Sequence, residues 1–479
     1  DVTLSFTASE GIQTPTCTMK DGGGNTMDNS VAVTEGSSNA WTCVVDTHDN
    51  DADGAMTFSI AFTDDAGNAG TADTTVDDSS TVTIDNTHPT LSSVSIATAG
   101  TGNANNGDDI TLSFTASEGI QTPTCTIKDG GGNTMDNSVA VTEGSSNAWT
   151  CVVDTHDNDA DGAVTFSIAF SDDAGNAGTA DTSVDDSSSV TIDNTHPSVS
   201  SIAVTGVTSG SYGTASTYSV IVTASEALSA APTLSLAGGS VGSGTGSSSD
   251  TVWTYTFTPA DNDESVTIDV AVGAISDSAT NTNTAAASQF AFTHDATAPT
   301  MTITSTTVSS GATSNDATIA MVFTSSESTT NLVVGDITLS GGTLTSFAGS
   351  GASYTATFTP SSDGATSILI AASKFTDAAG NQNTASNTFA WTYDSTALTI
   401  TIASSTSGVT SGSTTNDGSI GVTFTISEST TGFAADDVVV SGGTLSSFAG
   451  SGTAYTATFT PSADGATTID VAAGKFTDG

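Results

Sequence analysis

The sequence contains no arginine, and its four lysines, Lys20, Lys128, Lys374 and Lys475, stand against 52 acidic residues. Phosphate backbones are held by Lys and Arg, so a chain of formal net charge −48 is excluded as a nucleic-acid binder. Long apolar runs are missing too: no stretch approaches the ~20 residues of a membrane-spanning helix. No leader peptide is present, which says nothing about secretion because the chain opens in mid-repeat. Cysteine is scarce, at Cys17, Cys43, Cys125 and Cys151, and no C-x-x-C pair exists to suggest a zinc ribbon or a redox dithiol. Aromatic residues are 6% of the chain, and Trp41, Trp149, Trp253 and Trp391 read as core packing rather than a sugar-binding platform. Helical periodicity of useful length is absent. Glycine-rich pieces such as GSGTGSSS lack the lysine of a phosphate loop.

What remains is alternation. Met56, Phe58, Ile60 and Phe62, or Tyr354, Ala356 and Phe358, follow the period of two that marks half-buried strands. GGG, SGG and SDG turns punctuate these runs. The chain is also self-similar. Residues 1–88 recur almost letter for letter as residues 109–196, DVTLSFTASEGIQTPTCTMKDGGGNT becoming DITLSFTASEGIQTPTCTIKDGGGNT. IVTASEALSAAPTLSL keeps the skeleton, and SGGTLTSFAGSGASYTATFTPSSDGATSI pairs with SGGTLSSFAGSGTAYTATFTPSADGATTI further on. Fixed-period self-similarity of this kind marks a repeat architecture. About seven short strands per repeat predict an all-β tandem array of immunoglobulin-like β-sandwich domains. The expected domains are 1–88, 89–196, 197–298, 299–396 and 397–479. The first reads as lacking its opening strand and the last its closing strand, as in a segment cut from a longer chain.

The four cysteines allow three pairings. The repeat favours Cys17–Cys43 and Cys125–Cys151, once per domain at equal spacing, and such bonds point to an oxidising compartment.

The TASE and SSES strand ends, YTATFTPSSDG, KFTDAAGNQNTASN and the VTIDNTHP or TYDSTA linkers resemble the bacterial immunoglobulin-like repeats of giant extracellular adhesins and surface proteins. The resemblance covers essentially the whole chain. It implies an extracellular, cell-surface or secreted location and calcium between domains that stiffens the array.

Three acidic features recur. A glutamate ends an early strand, at Glu10, Glu118, Glu226, Glu327 and Glu428. An aspartate opens a D-x-A-G-N-like turn, at Asp64, Asp172, Asp277, Asp377 and Asp478. A third acid, Asp85, Asp193, Asp295 or Asp394, lies in each linker. In an immunoglobulin sandwich the first two loops share the end at which the chain enters. Each linker aspartate therefore meets the glutamate and turn aspartate of the next domain, with Asp173 and Asn176 also in reach at the first junction. Oxygen ligands so placed suit calcium, while plain turn capping is the alternative. A second candidate is the run Asp49, Asp51, Asp53 and its copy Asp157, Asp159, Asp161, which resembles the opening of an EF-hand loop but has Ile60 where the bidentate glutamate belongs. Linker histidines read as solvent-exposed.

No Ser/His/Asp set is marked out, and paired carboxylates that recur in every repeat point to structure rather than to one catalytic centre, so an enzyme is not expected. The expected function is a calcium-stiffened structural stalk segment of a large acidic surface protein or adhesin, whose ligand is bound outside this segment. The alternative is a subunit of an assembled surface layer or extracellular filament, with strands exchanged between copies. Partners would then be other segments or copies of the same repeat protein.

Overall fold

The computed structural model describes residues 1–27, 31–100, 102–135 and 139–478. Gly479, assigned above to the fifth domain, lies outside them. The chain divides into two compact units, one of residues 1–205, 219–257 and 267–290, the other of residues 206–218, 258–266 and 291–479. Both are built from short antiparallel strands stacked as immunoglobulin-like sandwiches. Among the described residues the only helical segments are two 3-10 turns, Val334–Asp336 and Ala435–Asp437.

In the first unit the second repeat is the most complete. One sheet runs Ala140–Glu143, Ala148–Asp154, Asp109–Ala116, Leu91–Thr98, every neighbour antiparallel. Facing it, Thr124–Lys128 pairs with Thr165–Ala169. Thr191–Ile192 lies between Gly162–Ala163 and Asn103–Ala104, parallel to the latter. Alternation explains the layers. Ile110, Leu112, Phe114 and Ala116 of one strand point inward, while Thr111, Ser113 and Thr115 point out. The first repeat reproduces this plan with Val2–Thr7, Ala40–Val45 and Ala32–Glu35 in one sheet and Thr16–Lys20 with Thr57–Ala61 in the other.

The disulfides Cys17–Cys43 and Cys125–Cys151 both form, each joining a strand of one sheet to a strand of the other, with Cα atoms 6.4 Å apart. They stitch the two layers through the core, where Cys43 and Cys151 are fully buried.

The second unit fills its cores without cysteine. Met301–Ser305, Ile319–Thr329 and Gly342–Pro360 form one sheet, opposed by Thr313–Ser314, Phe389–Tyr393, Gly364–Ile370 and Ile337–Ser340. The last repeat matches it with Ile400–Ser404, Ile420–Thr430 and Gly443–Pro461 against Val438–Ser441 and Thr468–Val471. Aromatic rings fill the space instead: Phe358 meets Trp391 of the opposite sheet at 4.7 Å, and in the last repeat Phe433 meets Phe424, Phe448, Tyr455 and Phe476. The four tryptophans are buried, as their strand positions predict.

Replacing Cys125 and Cys151 together by serine should lower the stability of that repeat by about 3 kcal/mol through loop entropy alone. Phe323→Ala, at a fully buried position in a repeat without a disulfide, should cost about 3–5 kcal/mol. Native-state hydrogen exchange of the strands Asp109–Ala116 and Ile319–Thr329 reads the two effects separately.

Candidate metal centre

Each cluster is assembled from three pieces of backbone. The strand Asp109–Ala116 buries every second residue up to Ala116 and leaves Glu118 at its mouth. In the second unit Glu327 and Glu428 lie near the ends of the 11-residue strands Ile319–Thr329 and Ile420–Thr430. The turn aspartate is fixed by its own loop. Asp172 Oδ1 accepts hydrogen bonds from the amides of Gly175 (2.7 Å) and Asn176 (2.8 Å), and Oδ2 accepts from Asn176 Nδ2 (2.8 Å). The loop closes because Gly175 takes a φ of 100°, which suits a residue without Cβ. Thr280 holds the same position in the third repeat at a φ of 73°, a costly conformation for a β-branched residue, and its Oγ1 accepts a hydrogen bond from Asn105 Nδ2.

The third piece is the linker. Asn176 Nδ2 also donates to the carbonyl of Asp85 at 2.8 Å, and the same bond joins Asn281 to Asp193 (2.7 Å) and Asn381 to Asp295 (2.9 Å). One amide thus ties the turn of a repeat to the linker that enters it. The result is four groups, Asp85–Glu118–Asp172, Asp193–Glu226–Asp277, Asp295–Glu327–Asp377 and Asp394–Glu428–Asp478, each with carboxylate oxygens within 4.8 Å of one another. The first two lie in one unit and the last two in the other.

In the first three trios the glutamate is pushed in one direction. Burial, then the charges of Asp85, Asp172 and Asp53, push the Glu118 carboxyl above the usual range. Burial leads at Glu226 and Glu327 as well, followed by the aspartates of their own clusters. Burial and Asp277 raise Asp193. Asp172 goes the other way: burial is the largest influence and raises it, but the hydrogen bonds from Asn176, Gly175 and Ala174 together hold it low. Glu226 Oε1 and Glu327 Oε1 are buried and have no hydrogen-bond partner. A buried acceptor in that state is costly unless something else meets it. Hard carboxylate oxygens with no nitrogen or sulfur among them fit calcium far better than zinc.

Other residues singled out by the sequence fall elsewhere. Asp173 is exposed and outside its trio, and Asn176 acts through its amide. The acidic runs do not close on an ion. Asp51 Oδ2 caps the amide of His48 and Asp159 Oδ2 that of His156. Asp49 and Asp157 are exposed. Asp53 and Asp161 turn away to the linker, accepting from the amides of Asn86 and Asn194 at 2.6 Å. Asp53 is held low, first by the linker hydroxyl of Thr87 and then by the Asn86 amide. Spacing along the chain leaves a metal loop and a plain turn both open; the backbone enters a strand at Gly54, and Asp51 and Asp53 take different partners. The linker histidines are exposed but engaged. His88 Nδ1 donates to the carbonyl of Ala177 and His196 Nδ1 to that of Thr282, both at 2.8 Å. Their place three residues after the linker aspartate was the available signal.

The fold and its repeated clusters define a tandem array of immunoglobulin-like domains. The model of the bacterial Ig-like domain family matches residues 295–393 and 394–479. No curated protein matches the chain. Among solved structures, a tetra-tandem repeat from the extending region of a large adhesion protein is similar at 18% identity, covering 82% of this chain and 95% of that one, with a TM-score of 0.32. A titin I-band fragment is similar at 9% identity over 64% of this chain and 98% of its own, with a TM-score of 0.30. The ectodomain of mouse nectin-like molecule 4 is similar at 8% identity over 61% and 92%, with a TM-score of 0.23. No helix among the described residues is long and apolar enough to cross a membrane.

A raised carboxyl means that the folded state binds more protons than the unfolded one between the ordinary glutamate value and the raised one, so stability falls as pH climbs through that window. In chelator, Glu327→Gln should therefore be more stable than the parent near neutral pH, with the gap closing below about pH 4 where both side chains are neutral. Denaturant midpoints across the pH range check this, and a gap that does not change with pH would contradict it.

Proposed function

We propose that this chain is a structural stalk segment of a large extracellular surface protein or adhesin, in which calcium held at the domain junctions stiffens the array. The observation that carries the reading is the recurrence of one Asp–Glu–Asp trio where each linker enters the next repeat. A turn-capping aspartate would recur without the other two. In each trio one acid belongs to the repeat the chain is leaving and two to the repeat it is entering, so a cation bound there bonds neighbouring domains to each other. The partly matched family, the resemblance to an adhesin's extending region, and the disulfides of the first two repeats support an extracellular setting.

The chemistry assigned to the cation is charge neutralisation and geometry, with no reaction. Asp85, Glu118 and Asp172 would hold it at the first junction, and the corresponding residues at the other three. Removing it leaves three carboxylates facing one another, which loosens the hinge rather than unfolding either domain.

Calorimetric titration of the chelated chain should find about four calcium sites, matching the four trios. At a calcium concentration one hundred times the dissociation constant, each site should add about 2.7 kcal/mol of apparent stability. Glu226→Gln and Glu327→Gln should each remove one site. X-ray scattering should show the segment becoming more flexible on chelation. No binding, or a site count that neither substitution lowers, overturns the reading. A concentration-dependent growth in mass would instead favour the assembled layer or filament.

A further inference from the structure

Opposite each trio stands an aspartate of the preceding repeat that is not one of its three members. Asp53 Oδ2 accepts from the Thr87 hydroxyl (2.5 Å), Asp161 Oδ2 from Thr195 (2.5 Å), Asp263 Oδ2 from Thr297 (2.9 Å) and Asp363 Oδ2 from Thr396. These partners are more than thirty residues apart in sequence. The residue before the threonine varies, Asn86, Asn194, Ala296 or Ser395, yet its amide is held every time. Three donate to the same aspartate through Oδ1, and Ala296 donates to the Asn262 carbonyl at 2.8 Å. The threonine is engaged on its other side as well. Its own amide donates to Oδ1 of the linker aspartate two residues before it, at 3.1 Å for Asp85, 3.2 Å for Asp193, 3.3 Å for Asp295 and 3.1 Å for Asp394.

We infer that the linker threonine and the turn aspartate that holds its hydroxyl form a latch, Asp53–Thr87–Asp85 and its three copies, that keeps each junction in register when no cation is bound. The latch fixes the linker to the repeat it leaves, while the Asn176 amide and its equivalents at the second and third junctions fix the same linker to the repeat it enters. Because the threonine amide also restrains the linker carboxylate, Asp53 and its counterparts Asp161, Asp263 and Asp363 are positioning residues for the clusters, a role that rests on the calcium reading above. The latch itself does not. Charge-assisted hydrogen bonds from a hydroxyl and an amide to one carboxylate are the stronger kind, and they need no metal. A threonine is suited to the task because its hydroxyl and backbone amide can face opposite partners while its methyl restricts χ1.

The test is hydrogen exchange of the whole chain in chelator, read at residues 194–196. Thr195→Val removes the hydroxyl and keeps both shape and charge, so it leaves the attraction for cations intact. It should speed exchange of the Asn194 and Thr195 amides on the order of tenfold, the size expected for losing a charge-assisted hydrogen bond. Asp161→Asn should do the same, and Thr195→Ser should restore the parent rate. Residues 395–396 serve as an unaltered latch in the same molecule, and exchange in the strand Thr165–Ala169 confirms that the repeat stays folded. Equal exchange at 194–196 in parent, Thr195→Val and Asp161→Asn overturns the latch, whatever calcium does. Accelerated exchange with no calcium binding by calorimetry supports the latch and removes the calcium reading. Where calcium does bind, Thr195→Val should weaken the second site several-fold without abolishing it, in contrast to Glu226→Gln; an unchanged affinity overturns the positioning role.

Discussion

Three carboxylates held within 4.8 Å of one another are the constraint around which the junctions are organised. At that separation a pair of unit charges repels by roughly 1–4 kcal/mol, depending on how much water screens it. No arginine exists in the chain to answer this repulsion, and none of the four lysines belongs to a trio. The protein's own remedies are hydrogen bonds from neutral groups: backbone amides and an asparagine on the turn aspartate, a threonine amide on the linker aspartate. The glutamates receive less, and Glu226 and Glu327 keep one buried oxygen with no partner. That imbalance distinguishes the glutamate as the member most exposed to the field of its neighbours.

The sandwiches supply what the clusters need, which is rigidity at the loop ends. Alternating strands bury Ile, Leu and Phe on one face and present neutral Thr and Ser on the other, so the sheet faces carry little charge and the trios sit at the strand ends. In the first two repeats a disulfide bonds the two layers; in the last two, rings such as Phe433 and Phe476 occupy the core. The two solutions differ chemically and leave the glutamate strand and the aspartate turn in the same relation. The junction is therefore insulated from how each core is filled.

Much of this was legible in the sequence because it depends on local pattern. Period-two alternation gives the strands, and a recurring D-x-A-G-N with a following asparagine gives a turn whose carboxylate is capped from within. Even the meeting of Asp85, Glu118 and Asp172 could be reasoned from which loops share an end of an immunoglobulin sandwich. What could not be read is where a side chain turns when several local partners compete. Asp49, Asp51 and Asp53 look alike on paper, yet one is exposed, one caps its own turn and one reaches the linker. The partner of Asp53 is Thr87, and only the three-dimensional return of the chain places them side by side. The linker histidines eluded the reading for the same reason: their acceptors are carbonyls of the next repeat, which no side-chain motif advertises.

Every trio is divided between two neighbours in the same way, one acid handed forward and two waiting to receive it. A whole repeat inserted or deleted by recombination therefore restores a complete junction at the seam, since any exit fits any entrance. Residues 1–88 and 109–196 are near-identical, so either could stand in the other's place. The number of modules can change while the chemistry between them stays the same.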